Sequence, residues 1–176
     1  MCEILNGYNR PLCKSTGGID KVVFYNLQNR DAYTTDANEC EVLTLSLNAG
    51  KYGYMYDLEP QLSTAEDNGT GSRENQTFFV EQMLEMVLND NRKETRNSIN
   101  ALGRSTTLGA IVRDQDGVWR HFGLEYGLTL ESAAAVLGRA MGDRNGSTLT
   151  FAGQEKFLAP EISAALVTAI LAPDPS

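Results

Sequence analysis

The chain has 176 residues and carries 15 Lys and Arg against 23 Asp and Glu, which gives a formal net charge of −8 at pH 7. This length fits one domain that buries roughly 70% of the surface exposed by the unfolded chain, enough for a core without metal or disulfide staples. The acidic balance argues against tight nucleic-acid binding, because such a surface repels polyanions. No apolar run reaches the length of a signal peptide or the ~18 residues of a membrane span, which predicts a soluble protein made in a cytoplasm.

The N-terminal segment predicts an arm. Residues 1–20 are rich in Asn, Gly, Pro and Ser and show little periodicity. This composition is typical of an arm or loop that is ordered by something else, such as a neighbouring subunit.

Two strands are predicted next. Residues 21–27 (KVVFYNL) are β-branched and aromatic and follow a Gly-Gly turn signal. Residues 41–47 (EVLTLSL) alternate strictly, which predicts a half-buried strand with Leu43, Leu45 and Leu47 facing the core.

A tyrosine row and a long polar excursion follow. In residues 51–58 (KYGYMYDL), alternation places Tyr52, Tyr54 and Tyr56 on one face of a strand. We interpret this face as one that a neighbour partly covers, since a base-stacking platform would need basic residues that are missing here. Residues 59–76 (EPQLSTAEDNGTGSRENQ) have almost no apolar side chains, which predicts a long exposed loop or an extended hairpin tip, and loops of that length are uncommon unless they are functional.

Residues 77–88 (TFFVEQMLEMVL) fit both a helical stripe and a strand interrupted at Gln82. We favour a strand, because Asn89-Asp90-Asn91 follows directly. Asp90 is a good N-cap for a separate helix over residues 91–102, closed by Gly103. Its narrow apolar stripe consists of Thr95, Ile99 and Leu102.

The second half predicts short strands joined by glycine turns. Residues 107–113 and 118–122 flank an acidic turn in which Gly117 can adopt a positive φ. Residues 123–131 continue extended, and residues 132–141 form an alanine-rich link that fits one turn of helix. The strongest strand patterns predict six core residues: Trp119, Phe122, Leu124, Leu128, Leu149 and Phe151.

The end of the chain is less regular. Residues 143–146 form a turn into a strand over residues 147–151. Residues 159–171 fit both the helical and the strand period, with Pro160 and Glu161 as a possible helix start, and their structure stays open.

The sequence offers little chemistry, so we predict no enzyme and no catalytic, cofactor-binding or metal residue. His121 is the single histidine and lies in a tryptophan-bearing strand, which favours a structural role on a sheet face. The turns 114–117 and 143–146 begin like calcium loops but lack the Glu at the twelfth position, so they are interpreted as hairpin turns. No glycine-rich phosphate loop is present. The three cysteines match neither a CxxC metal pair nor a disulfide framework and are expected to be free thiols: Cys2, Cys13 and Cys40.

Four segments of the last 70 residues carry a resemblance. They are an acidic-Gly hairpin (DQDGVWRHFG), a Leu-Glu-x-Gly-Leu segment (LEYGL), a turn (GRAMGDRNGS) and a final strand (LTFAGQE). Together they resemble the tail-tube proteins of long-tailed phages. The earlier part of the chain is similar only in the order of its elements, with strands, a long polar excursion, a strand and a short helix.

The resemblance implies a β-sandwich or barrel with one short flanking helix. It also implies a virion protein of the phage tail that forms stacked hexameric rings, in which the N-terminal arm and the polar excursion reach toward neighbouring rings. DNA would pass through the tube without specific binding, and the partners would be copies of this chain and other tail proteins, with no membrane insertion.

Two alternatives stay open. One is another ring component of the tail, such as a terminator, a collar or a baseplate ring, which assembles to a fixed size. The other is a carbohydrate- or metal-binding β-module that uses the tyrosine face and the two Asp-rich turns.

Overall fold

The computed structural model describes residues 7–8, 15–140 and 142–173. Most of these residues lie in two β-sheets. The first sheet consists of β1 (Ile19–Asn26), β2 (Arg30–Thr35), β3 (Glu41–Leu47), β4 (Tyr54–Asp57), β7 (Leu108–Asp114), β8 (Trp119–Phe122) and β11 (Glu161–Ile162). The second consists of β5 (Thr64–Ser72), β6 (Thr77–Leu88), β9 (Thr129–Val136) and β10 (Gly146–Glu155). The predicted mainly β fold is confirmed.

The strand order leaves two open edges on each sheet. The first sheet runs β2-β3-β11-β8-β7-β1-β4, and the second runs β5-β6-β10-β9. All pairs in the second sheet are antiparallel, while the first contains one parallel pair, β3 with β11. The edge strands are therefore β2 and β4 in one sheet and β5 and β9 in the other.

The two sheets pack face to face around an apolar core. Phe24 of the first sheet lies 4.8 Å from Phe151 of the second between ring centroids, with Leu84 and Leu149 fully buried beside them. The opposite face of the first sheet is also covered, by a second cluster that includes Ile111. The first sheet is thus buried on both faces, whereas the second sheet has a core on one face only.

Two short helices flank the sheets in the described part of the chain. Helix α1 (Lys93–Arg104) begins and ends two residues later than predicted, so its N-cap is Arg92 and not Asp90, and Gly103 lies inside the helix and does not close it. Its apolar stripe is as expected, with Leu102 buried. Asp90 stabilises its start by accepting hydrogen bonds from the backbone N–H of Arg92 and from the hydroxyl of Thr95. Helix α2 (Ala164–Ile170) was not assigned from the sequence, and its N-cap is Ser163.

Several sequence predictions are confirmed. Residues 77–88 form a strand and not a helix, and residues 64–72 pair with them as a hairpin. Of the two alternatives for residues 59–76, the extended hairpin is therefore correct and the long loop is wrong. Gly117 has φ +88° in the turn between β7 and β8. All the predicted core residues are buried except Trp119, which is half-buried.

Three local predictions are wrong. Residues 132–136 extend strand β9 and form no helix, because they pair with β10. Residues 123–127 form a compact loop with positive φ at Gly123 and Gly127 and not an extended strand. Leu43 is exposed while its neighbour Val42 is buried, because a bulge shifts the register between β2 and β3 at this point.

The predicted N-terminal arm lies mostly outside the described residues, as do Cys2 and Cys13. Within the described part of residues 1–20, the chain from Thr16 onward contacts the body of the protein. The backbone N–H of Thr16 donates to the carboxylate of Asp116. Cys40 has a free, exposed thiol, as expected.

Candidate functional site

The outward face of the second sheet is a broad exposed surface. Partners in register share a face, so the pairing of the four strands fixes which side chains point away from the core. They are Thr64, Glu66, Asn68 and Thr70 in β5; Phe79, Glu81, Met83 and Glu85 in β6; Thr148, Thr150, Ala152 and Gln154 in β10; and Thr129, Ser132, Ala134 and Val136 in β9. We call this set the outward face.

The outward face is acidic. Glu66, Glu81 and Glu85 are its charged strand residues, and all three are exposed. None of the outward-facing residues of the four strands is Lys or Arg. Arg144, in the turn before β10, lies at the rim, where its side chain donates to the hydroxyl of Thr148 at 3.1 Å and to the carbonyl of Ser147 at 2.9 Å. The face as a whole therefore repels anions.

Strand β9 forms one edge of this sheet and has a bulge at Glu131, where its register with β10 shifts, and the side chain of Asn91 donates to its Val136 carbonyl at 2.9 Å. It has eight residues, its single charged residue is Glu131, and it contains no proline and no lysine. Its residues are exposed on both faces, apart from the half-buried Leu130. A charge and a bulge limit pairing at an edge, so the uncharged stretch from Ser132 to Val136 is the part of β9 open to another strand. This edge is suited to pair with another chain.

Strand β5 forms the opposite edge. It is nine residues long and extends into the hairpin tip beyond the end of β10. Gly69 and Gly71 lie on its inner side next to the ring of Phe78, whose carbon atoms would be 3.1 Å from a Cβ placed at Gly69. The aromatic ring thus covers a glycine stretch that has no side chains of its own to pack.

Two buried polar side chains hold the loop that joins the sheets. Glu155 accepts hydrogen bonds from the backbone N–H groups of Glu125, Tyr126 and Gly127 at 2.8 to 3.2 Å through one carboxylate oxygen. Burial raises the pKa of Glu155, while these three donors oppose the shift. Gln82, interpreted from the sequence as a strand interruption, is fully buried and accepts a hydrogen bond from Gly123.

His121 is fully buried and does not face solvent. Its Nε2 lies 2.8 Å from the hydroxyl of Tyr25, and its ring meets the tyrosine ring edge to face. Burial, with a smaller contribution from the Arg30 guanidinium, lowers the pKa of His121 to about 3. The histidine is therefore neutral at pH 7 and sits in the core of the first sheet, as its sequence context predicted.

In the two Asp-rich turns, the Asp carboxylates accept hydrogen bonds from nearby backbone N–H groups. Asp114 accepts from the N–H of Val118 at 2.8 Å and pairs with Arg120 at 2.6 Å, and Asp143 accepts from the N–H groups of Arg139 and Ala140. These backbone hydrogen bonds lower the pKa of Asp143. Across residues 7–8, 15–140 and 142–173, no three His, Cys, Asp or Glu side chains are close enough to hold a metal ion.

The tyrosine row lines a groove between β4 and α1. Tyr56 is half-buried and packs edge to face on Phe24 at 5.6 Å, while Tyr52 and Tyr54 are exposed. The groove has a volume of about 600 Å³, and α1 contributes Ser98 and Leu102 to its wall. This size is in the range of small-molecule sites.

Comparison of the chain with protein-family models, with curated proteins and with solved structures gave no match. None of the helices in the described ranges is long and apolar enough to cross a membrane.

Proposed function

We propose that the protein is a tail-tube subunit of a phage virion. In this proposal, β9 of one subunit pairs with β5 of the next, six second sheets close into a ring, and the outward face lines a passage for DNA. The observation that carries the proposal is a four-stranded sheet with two open edges and an acidic outward face whose strands carry no Lys or Arg there.

The strand directions agree with such a ring. The four strands alternate in direction, so β5 and β9 run antiparallel to each other. A rotated copy placed beside the sheet therefore brings its β5 antiparallel to β9, and the alternation continues around the ring. This contact uses different surfaces on the two partners, and such head-to-tail contacts close into rings when the rotation allows it.

The register of the strands sets the strand tilt of the proposed ring. Thr64, Glu85, Thr150 and Ser132 lie in one row across the sheet. If the strand register shifts by four residues from one subunit to the next, β5 of one subunit lies alongside the whole of β9 of its neighbour. Asn68 then lies opposite Ser132, and both side chains are on the outward face. Six subunits then form a 24-stranded barrel (6 × 4) with a strand tilt of about 35°, within the range seen in barrels.

The same strand number and tilt give a passage wide enough for a DNA duplex. With neighbouring strands ~4.8 Å apart, a barrel of this strand number and tilt is about 45 Å across between backbones. Side chains narrow the opening but leave room for a DNA duplex. A smaller number of subunits would bring the wall into close contact with DNA.

The charge of the outward face explains how DNA could pass. Each ring presents 18 glutamates (6 × 3) from Glu66, Glu81 and Glu85, and carries −48 in total (6 × −8). Without Lys or Arg on its strands, the face forms no phosphate contacts that release counterions, which are the main source of nonspecific DNA affinity. The wall would therefore not retain the DNA.

Negative-stain electron microscopy of the purified protein tests this proposal. We expect hollow tubes of stacked rings. Closed rings that do not grow would favour the other ring components of a tail, such as a terminator, collar or baseplate ring. Monodisperse monomers at all concentrations would reject the whole class of ring proteins.

The tyrosine groove favours the second candidate, a carbohydrate-binding module. Exposed tyrosines beside hydroxyl and amide side chains are suited to a sugar ring, and Tyr52, Tyr54, Asn26 and Asn29 line the groove. Calorimetric titration with oligosaccharides tests this candidate. Binding that is lost in Tyr54→Ala, in a protein that stays monomeric, would support it over the tube.

A further inference from the structure

A small cavity lies between the turn that joins β2 to β3 and the loop that follows β8. It has a volume of about 70 Å³, and its lining includes Glu39, His121 and Glu155. A water molecule occupies about 30 Å³ in the liquid, so the cavity has room for about two groups of that size. We call Glu39, His121 and Glu155 the cavity acceptors, because each has an atom that is available to accept a hydrogen bond.

The first cavity acceptor, Glu39, lies in the turn between β2 and β3. Its φ is +58°, in the left-handed region that favours glycine. The turn is fixed around it, because Asp36 accepts hydrogen bonds through Oδ1 from the backbone N–H groups of Cys40 and Glu41. The side-chain oxygen Oε2 of Glu39 is buried and has no hydrogen-bond partner among the described residues. A buried carboxylate oxygen without a partner is costly, so this arrangement favours a ligand that donates to it.

The other two cavity acceptors are almost completely buried, since His121 and Glu155 are exposed by 0% and 6%. The Nε2 of His121 lies 2.8 Å from the hydroxyl of Tyr25, whereas its buried Nδ1 has no partner within the described ranges. A neutral imidazole carries one N–H, so Nδ1 is an acceptor when Nε2–H donates to Tyr25. Glu155 holds the loop of residues 125–127 through Oε1, which leaves Oε2 to accept from a ligand.

Two cations of the chain lie near the cavity, and neither forms an ion pair with its two buried carboxylates. Arg30 donates to the carbonyl of Leu124. Lys156 pairs at 2.6 Å with Glu125, a third carboxylate in the cavity lining, which is therefore already neutralised. Among the described residues, the cavity thus keeps two carboxylates that have no ion-pair partner.

From this arrangement we infer that the cavity binds the primary ammonium group of an alkyl chain, supplied by a small free amine or by a lysine side chain. The three cavity acceptors match the three N–H donors of such a group, and two carboxylates match its charge.

The spacing of the cavity acceptors and the apolar lining agree with this ligand. A metal ion does not fit, because no three His, Cys, Asp or Glu side chains of the described ranges are close enough to hold one. Hydrogen bonds of about 2.8 Å from an ammonium nitrogen span more widely spaced acceptors than metal–oxygen bonds of about 2.0 to 2.6 Å. Phe157 and Leu158 also line the cavity and are 49% and 57% exposed, so they offer an apolar contact to the alkyl chain.

Binding can be followed at His121 itself, because it is the single histidine of the chain. Labelling of histidine with nitrogen-15 gives ring signals from this residue alone, in solution for free subunits or in the solid state for assembled particles. Titration with n-butylamine at pH 7, where the amine is protonated, should shift the Nδ1 signal saturably to the position of an acceptor nitrogen. Butanol and tetramethylammonium have no ammonium N–H and should leave the signal unchanged.

Substitutions at Glu39 separate lost binding from a lost fold. Glu39→Gln removes one carboxylate at nearly constant size and should weaken n-butylamine binding at least tenfold in a calorimetric titration. Glu41→Gln is the matched control, because Glu41 is exposed at the start of β3 outside the cavity lining, and it should bind like the unmodified protein. Glu39→Gly also removes the carboxylate but suits the positive φ, so it should lose binding and keep or raise the melting temperature.

A second probe distinguishes the two sources of the ammonium group. Nα-acetyl-lysine amide carries the alkyl chain as a protein does, so binding as tight as that of n-butylamine would support a lysine side chain. Binding of n-butylamine alone would support a free amine. The inference is overturned if neither probe gives a saturable shift, if butanol binds equally well, or if Glu39→Gln binds like the unmodified protein. The cavity lies within one subunit, so none of these outcomes depends on the formation of rings or tubes.

Discussion

The side-chain oxygen Oε1 of Gln82 lies 2.7 Å from the backbone nitrogen of Gly123 and accepts its hydrogen bond in the buried interior. Gln82 belongs to β6 in the second sheet, and Gly123 follows β8 in the first. The bond therefore fixes the point at which the chain leaves one sheet for the other. Strand β9, an edge of the second sheet, begins six residues later at Thr129.

We predict that Gln82→Leu destabilises the protein by about 1 to 3 kcal/mol, because it leaves the Gly123 N–H buried without an acceptor. Urea denaturation measures the loss. Gln154→Leu, at an exposed position of β10 on the outward face, is the matched control and should change stability by less than about 0.5 kcal/mol. Equal effects at the two positions would show that the buried bond contributes nothing.

Phe151 should be among the most costly residues to truncate. It is fully buried and packs against Phe24 across the two sheets. Phe151→Ala is expected to cost about 3 to 5 kcal/mol in the free energy of unfolding. Phe78→Ala, at a ring that is 61% exposed, should cost much less. A loss near zero at Phe151 would contradict the packing of the two sheets.

His121 should make the fold sensitive to acid. Its pKa is about 3 when folded and about 6.5 when unfolded, so the unfolded chain binds the proton first. Its contribution to stability is complete above pH 6.5 and is lost as the pH falls towards 3. Between pH 6.5 and 4.5 the loss should be about 2 kcal/mol.

The contribution of His121 can be isolated with a variant that does not titrate. The free energy of unfolding of the unmodified protein minus that of His121→Phe should fall as the pH is lowered from 6.5 to 4.5. The carboxylates titrate in both proteins, so their effects cancel in this difference. A difference that does not change with pH would mean that the imidazole is accessible to protons in the folded state.

The outward face should decide whether DNA adheres to the assembled protein. The unmodified protein is expected to bind no duplex DNA at ~0.15 M salt, and lower salt should not restore binding because repulsion grows as screening falls. Lysine at positions 66, 81 and 85 (E66K, E81K and E85K) should preserve assembly and make DNA bind with a steep salt dependence. Micromolar binding by the unmodified protein that strengthens as salt is removed would favour a DNA-engaging adaptor.

The sequence alone predicted the mainly β class and most strands of the core, because alternation around residues such as Leu149 and Phe151 is strong. It did not predict that Val42 and not Leu43 is buried, since a bulge depends on the register with a partner strand. The alanines of residues 133–135 resemble a helix until their pairing with β10 is known. Gln82 was the one available sign of a buried polar contact, because it interrupts an apolar alternation.

The outward face could not be identified from the sequence for a similar reason. Glu66, Glu81 and Glu85 come from two strands, and their common face follows only from the pairing of β5 with β6. The open edge of β9 likewise depends on its position in the sheet and not on its composition. Local patterns predict the strands, whereas the order of the strands determines the surfaces.

Disulfide cross-linking between subunits tests the pairing of β9 with β5 most directly. The experiment uses assembled protein in which Cys2, Cys13 and Cys40 are replaced by serine and which carries Ser132→Cys together with Glu66→Cys, Asn68→Cys or Thr70→Cys. We predict covalent ladders up to the hexamer, with the highest yield for Asn68→Cys. Ser132→Cys with Glu85→Cys is the control, because Glu85 lies in β6, which has a partner strand on both sides and so cannot pair with another subunit. Assembled particles in which none of the three β5 positions cross-links to position 132 would contradict the account.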